Sequence, residues 1–216
     1  GSNMFKGSAT TTWENADTQW QNVTEALFNA GGSNGTGLSG NPLHKITTNS
    51  VEFGGPIRKN RLWFWGSMDN QDINVGVGNF FDKSKAGCTP PPSTFAQIEQ
   101  VQGCLKNDNT TIRDYNGKIN FQLNSANKFQ FLTQTNLKHR NARGASASTA
   151  LEAVTQQYSV GGEFANPAFQ LTHTLILTDK LVFTNQATHL AGGFFLDNQD
   201  FARCGSSTLV AALATA

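Results

Sequence analysis

The chain has 216 residues, room for one or two ordinary domains or one small barrel, and Lys+Arg 16 against Asp+Glu 15 leave a formal charge of +1. So even a balance supplies no global field for nucleic acid, and none is expected as a partner. Charged residues are only 14% and glycine reaches 21 copies, a composition unlike a typical soluble domain, yet no apolar run approaches the roughly 18 residues of a spanning helix.

The first predicted strand covers Met4 to Glu14, where Phe5, Gly7, Ala9, Thr11 and Trp13 alternate with Lys6, Ser8, Thr10, Thr12 and Glu14. A long Gly- and Asn-rich segment, 15–43, follows; within it Thr24 to Phe28 suits a helical turn. Strands at Lys45 to Gly54 and Leu62 to Asn70 are expected to meet across a tight reversal at Gly55 to Asn60, because Pro56 cannot donate to a central ladder. The segment 71–112 carries Cys88, Pro90 to Pro92 and Cys104 and reads as a second long connection.

The clearest pattern comes next. In Tyr115 to Leu123, Tyr115, Gly117, Ile119, Phe121 and Leu123 share one face, and Asn116, Lys118, Asn120 and Gln122 share the other. Lys128 to Leu137 continues it across the turn Asn124 to Asn127, so the pair reads as a hairpin with one apolar and one amide-rich face. Each arm has about the nine to eleven residues that a tilted strand needs to cross a bilayer. A third long segment, 139–167, leads to strands Phe169 to Leu177 and Leu181 to Leu190, joined at Thr178 to Lys180.

Short turns thus alternate with long polar segments, the rhythm of an outer-membrane barrel with short periplasmic turns and long extracellular loops. The expected fold is all-β, a partial antiparallel transmembrane barrel of about seven strands over residues 1–197, with an atypical tail at 198–216. A mean hydropathy of -0.38 is compatible with this, since lumen residues offset lipid-facing ones. Gly1 to Met4 shows no signal peptide, so the chain is expected to be a piece of a longer protein.

Cys88 and Cys104, sixteen positions apart in one polar stretch, read as a loop-closing disulfide in an oxidising compartment, with two free thiols as the alternative; Cys204 is left over. No zinc pattern is present, no cofactor is expected, and enzyme chemistry finds little footing. Gly76-Val-Gly78 lacks the third glycine of a dinucleotide loop, and Ser146 and Ser148 do not sit on a nucleophile elbow. Glu52 and Asp114 fall on different strands without an evident acid–base partner. His173 and His189 are expected near each other across their hairpin, though a metal would need a further ligand. Lys138, Arg140 and Arg143 form a basic run where a strand leaves the membrane, which suggests contact with lipopolysaccharide phosphates or simply a solvated loop base.

The stretch Asn49-Ser-Val-Glu-Phe-Gly-Gly-Pro-Ile-Arg-Lys-Asn-Arg-Leu-Trp-Phe-Trp-Gly-Ser67 resembles TonB-dependent outer-membrane receptors of the Oar-like type, which carry a Gly-Gly-Pro-Ile turn, a basic residue and a Leu-Trp/Phe-Phe-Phe-Gly strand. Residues 1–8 resemble the junction of plug and barrel, and Tyr115 to Lys118 with Asn127 to Gln130, then Leu171 to Thr174 with Thr178 to Leu181, resemble later hairpins of that barrel. The resemblance implies an early slice of a barrel in the bacterial outer membrane, part of a transporter moving a large solute of unknown kind. Its implied partners are outer-membrane lipid, the remaining barrel and plug, and TonB through a segment this stretch lacks. Two other readings stand beside it: a small closed barrel with a structural or adhesin role, sealed by an eighth strand at 193–203, and a soluble β-sandwich binding module.

Overall fold

A computed structural model describes residues 3–20, 23–30, 41–82, 85–88, 94–146, 149, 154–159 and 167–198. The described strands are β1 (Lys6–Asn15), β2 (Leu43–Arg58), β3 (Leu62–Phe81), β4 (Leu105–Gln122), β5 (Asn127–Arg143), β6 (Thr155–Ser159), β7 (Ala168–Thr178), β8 (Leu181–His189) and β9 (Phe194–Asn198); two short helices are α1 (Glu25–Asn29) and α2 (Phe95–Val101). The protein is all-β, a single antiparallel sheet that does not close on itself.

The sheet runs β1-β2-β3-β4-β5 and then forks. The first half of β5, Asn127 to Gln134, pairs with β7, which pairs with β8; the last part, His139 to Arg143, pairs with β6, which pairs with β9. Strands β6 and β9 therefore carry the sheet past the ends of β7 and β8. At the level of the short turns the order is β1-β2-β3-β4-β5-β7-β8, with β1 and β8 at the free edges. Neighbours are antiparallel throughout, so these two edge strands run in the same direction.

The end of the sheet carrying the short turns is called proximal here, and the end carrying the long connections distal. The β4–β5 turn is an Asx turn: Asn124 Oδ1 accepts from the backbone N–H groups of Ala126 at 3.0 Å and Asn127 at 2.8 Å. The β2–β3 turn is tighter than expected. Gly55 and Pro56 lie inside β2, opposite Phe64 and Trp63, and the chain reverses at Lys59 and Asn60. Arg61 N–H donates to Arg58 C=O at 3.1 Å, and Asn60 takes φ 61°, a left-handed conformation that Asn tolerates. Pro56 is accommodated because the β1 ladder stops at Lys6–Gly54, leaving β2 a neighbour on one side only, and a bulge between Pro56 and Arg58 takes up the irregularity.

Four strands overrun their expected bounds by several residues: β2 reaches from Leu43 to Arg58, and three others lengthen toward the distal end. β3 has 20 residues, β4 18 and β5 17, so 71–81 and 105–112 at the two ends of one expected connection, and the start of 139–167, are strand rather than loop. At about 3.3 Å per residue β3 is roughly 65 Å long, about twice the ~30 Å hydrocarbon thickness. The strand at 194–198 exists, but it pairs with β6 and seals neither free edge.

Register aligns the two faces across the sheet. One apolar row reads Gly55, Phe64, Ile119, Phe131, Leu171, Ala187; the next reads Leu62, Phe121, Phe129, His173. Phe5 covers Gly55 so closely that a Cβ there would lie 2.2 Å from its ring, and Phe5, Phe53 and Phe64 group at 5.8 to 6.4 Å between centroids. Among the described residues nothing covers this face: Phe53 is 50% exposed, Ile119 43%, Phe131 38% and Phe183, on the edge strand β8, 49%.

Two small clusters of buried hydrophobic side chains lie at the distal end: Phe81, Cys104 and Leu105; and Phe80, Ala142 and Val154. Among the described residues the proximal wall adds no further cluster of buried hydrophobic side chains.

Candidate functional site

The polar face is built by the residues between those of the apolar rows. One row reads Ser8, Glu52, Ser67, Asn116, Gln134; another Trp63, Asn120, Gln130, Thr172, Gln186. Period-two alternation in seven adjacent strands puts hydroxyls, amides and a few charges on one continuous surface.

Its proximal end holds a groove of about 650 Å³ lined by Lys6, Glu52, Trp63, Trp65, Lys118, Asn120, Lys128 and Gln130, with Gly54 and Gly55 between them. Glu52 organises one wall. Its Oε1 accepts from Ser8 Oγ at 2.9 Å and its Oε2 from the Trp65 indole N–H at 3.1 Å. The Lys118 ammonium stands 5.5 Å from the centre of the Trp65 ring, a cation–π contact that fixes the charge without consuming its N–H donors. Asn3 pins the groove's edge, its Oδ1 accepting from Asn60 N–H at 3.0 Å and from the Trp63 indole at 3.2 Å. Both tryptophans of Leu62 to Trp65 thus belong to the polar face, and Phe64 between them to the apolar one.

Further along, Asp69 and Asp114 are direct cross-strand partners, and Asp114 accepts from Asn136 Nδ2. Asp114 and Glu52 share the polar face at different levels, with Ser67 and Asn116 in the row that holds Glu52. No acid–base pair forms between them.

The distal end is held differently. Cys88 and Cys104 form a disulfide with Cα atoms 5.5 Å apart, packed against Phe81 and Leu105. It closes the connection that carries α2, whose Phe95 meets Phe28 of α1 edge-on at 6.2 Å. The segments 15–43 and 82–104 therefore touch. The helical turn expected at Thr24 to Phe28 is present as α1, and Thr24 caps it, its Oγ1 accepting from Leu27 N–H at 3.2 Å.

Two of the three side chains of the basic run have partners within the protein. Arg140 is ion-paired to Asp108 at 2.6 Å, and the buried Asp108 also accepts from Ala142 N–H at 3.1 Å. Arg143 donates to Gln157 Oε1 at 3.1 Å and lies 5.4 Å over the Phe194 ring. Lys138 is bound through its backbone, to Ser159 Oγ at 2.9 Å. Asp108 was the missed residue: it stands alone in a polar stretch, and only the β4–β5 pairing brings it to Arg140.

The histidines stay apart as well. His173 faces Asn185 and His189 faces Phe169, four residues away along β7. His173 stacks on Phe129 at 4.4 Å and shares a 2.9 Å hydrogen bond with Asn127. Among the described residues no cluster of metal-binding side chains forms. Gly76 and Gly78 belong to β3, where their N–H groups donate to Pro42 C=O at 2.7 Å and Asn41 Oδ1 at 2.8 Å. Ser146 hydrogen-bonds Thr149 at 2.7 Å; Ser148, Cys204 and the tail from 199 onward lie outside the described residues.

No family model, curated protein or solved structure matches the chain.

Proposed function

We propose that the chain is part of the wall of a TonB-dependent transporter in the bacterial outer membrane, with the apolar face against lipid and the polar face toward an aqueous lumen through which a large solute passes. One observation carries the reading: Ile119, Phe121 and Phe131 are more than a third exposed while their neighbours Asn120, Gln122 and Gln130 line the opposite surface. Uncovered apolar area on this scale is unfavourable in water and favourable in hydrocarbon. The long distal strands would then stand above the membrane. In this reading TonB, the plug and the rest of the barrel are partners, and the distal segments 15–43 and 82–104 would grip the solute.

Nitroxide labels on single cysteines test it. In a Cys204→Ser background, labels at 119, 121 and 131 in liposome-reconstituted protein should be reached by oxygen and shielded from a water-soluble nickel complex. Labels at 120, 122 and 130 should behave oppositely. A flat pattern along 119–131, or nickel access at the odd positions, overturns the reading.

A further inference from the structure

Three lysines share the proximal groove: Lys6 from β1, Lys118 from β4 and Lys128 from β5. The groove's one carboxylate, Glu52, has its two oxygens engaged by Ser8 and the Trp65 indole, both neutral donors. Among the described residues no ion pair neutralises any of the three ammonium groups. The Lys118 ammonium lies 5.5 Å from the centre of the Trp65 ring, a contact that consumes none of its N–H donors.

We propose that this groove is a binding site for an extended polyanion, a ligand bearing several carboxylates or phosphates. Register sets the length of that ligand. Lys6, Gly54, Trp65 and Lys118 form one row across four strands, so the two lysine Cα atoms are roughly 14 Å apart at ~4.8 Å per strand. Lys128 pairs with Gln122, four residues along β4 from Lys118, or roughly 13 Å. A single small anion is too short to bridge all three positions; a chain of anionic groups can reach each of them. Gly54, in the row between Lys6 and Trp65, adds no side chain to the floor, and Asn120 and Gln130 supply neutral amide donors along the path. Ammonium groups on a concave wall also focus the local potential, which favours multivalent anions more steeply than monovalent ones. The site belongs to the polar face and does not require the opposite face to meet lipid, so it stands or falls apart from the transport reading.

Tryptophan fluorescence in a Trp13→Phe, Trp20→Phe background reads Trp63 and Trp65 directly. Titrated into detergent-solubilised protein, inorganic tripolyphosphate and trigalacturonate distinguish phosphate from carboxylate sources, and neutral maltotriose is the control. At least one polyanion should give a saturable change that weakens with added salt. Lys118→Gln with Lys128→Gln should lower its affinity tenfold or more, whereas Lys118→Arg should retain it and Lys59→Gln, in the β2–β3 turn, should leave it unchanged. Circular dichroism confirms that each variant keeps its strands. Absence of polyanion binding by the parent, equal binding of maltotriose, or undiminished binding by the double glutamine variant overturns the proposal.

Discussion

The proximal and distal halves of the sheet are made of the same long strands and solve opposite problems. Proximally, large apolar side chains such as Phe53, Phe121, Phe131, Leu171 and Phe183 remain exposed on one face, and the other face is wet. Distally, Phe80, Phe81, Leu105, Ala142 and Val154 are buried, and a disulfide and an ion pair reinforce them. The difference shows where each half gets its stability: the distal half packs against itself, as a soluble protein does, whereas the proximal half depends on what surrounds it.

The largest expected effect lies on the proximal apolar face. Phe131→Arg should cost about 2–4 kcal/mol in the equilibrium for folding into a bilayer, while Gln130→Arg, one residue away on the wet face, should cost well under that. The comparison breaks if denaturant titrations in liposomes give the two substitutions equal cost. Next comes the distal brace. Replacing Cys88 and Cys104 with serine releases a sixteen-residue separation, worth about 3 kcal/mol to the distal unit by loop-closure arguments. Hydrogen exchange should then rise around α2 and, through the Phe28–Phe95 contact, around α1, with residues 115–123 unchanged; a rise spread evenly over both halves would show them to be one cooperative unit. The smallest effect, about 2 kcal/mol, is expected for Asp108→Ala, which leaves Ala142 N–H unpaired and Arg140 without its carboxylate; because Arg140 is 38% exposed, water takes up part of its charge. Proteolysis near Arg143 reads it, and unchanged cleavage would mean that the pair adds little to the distal fold.

The same division governs what the amino-acid sequence discloses. The proximal strands are legible because one face is apolar and the other polar: Tyr115 to Leu123 announces its strand, its faces and its partner. Residues 71–78 of β3 and 105–111 of β4 are strand too, but Asn70, Asp72 and Asn74 on one face oppose Gln71 and Ile73 on the other without contrast, so period-two reasoning ends at Asn70. Pro56 misleads for a different reason. Proline excludes a central ladder position, but the sequence does not say that β1 stops short of it. Of the groove, Lys118, Asn120 and Gln130 were visible as a wet face; the convergence of Lys6 and Lys128 on them needed the register. The Arg140–Asp108 pair needed it likewise, since 32 residues separate the two in the chain.

The shared direction of β1 and β8 has an arithmetic consequence. A cylinder in which every strand opposes its neighbours must contain an even number of them, and seven stand at the proximal level. Bringing the two margins together would create a parallel seam, and so would inserting a second, identically oriented copy. Whatever completes the ring in an all-antiparallel fashion must therefore contribute an odd count of strands, the first and last of them running opposite to Lys6–Asn15.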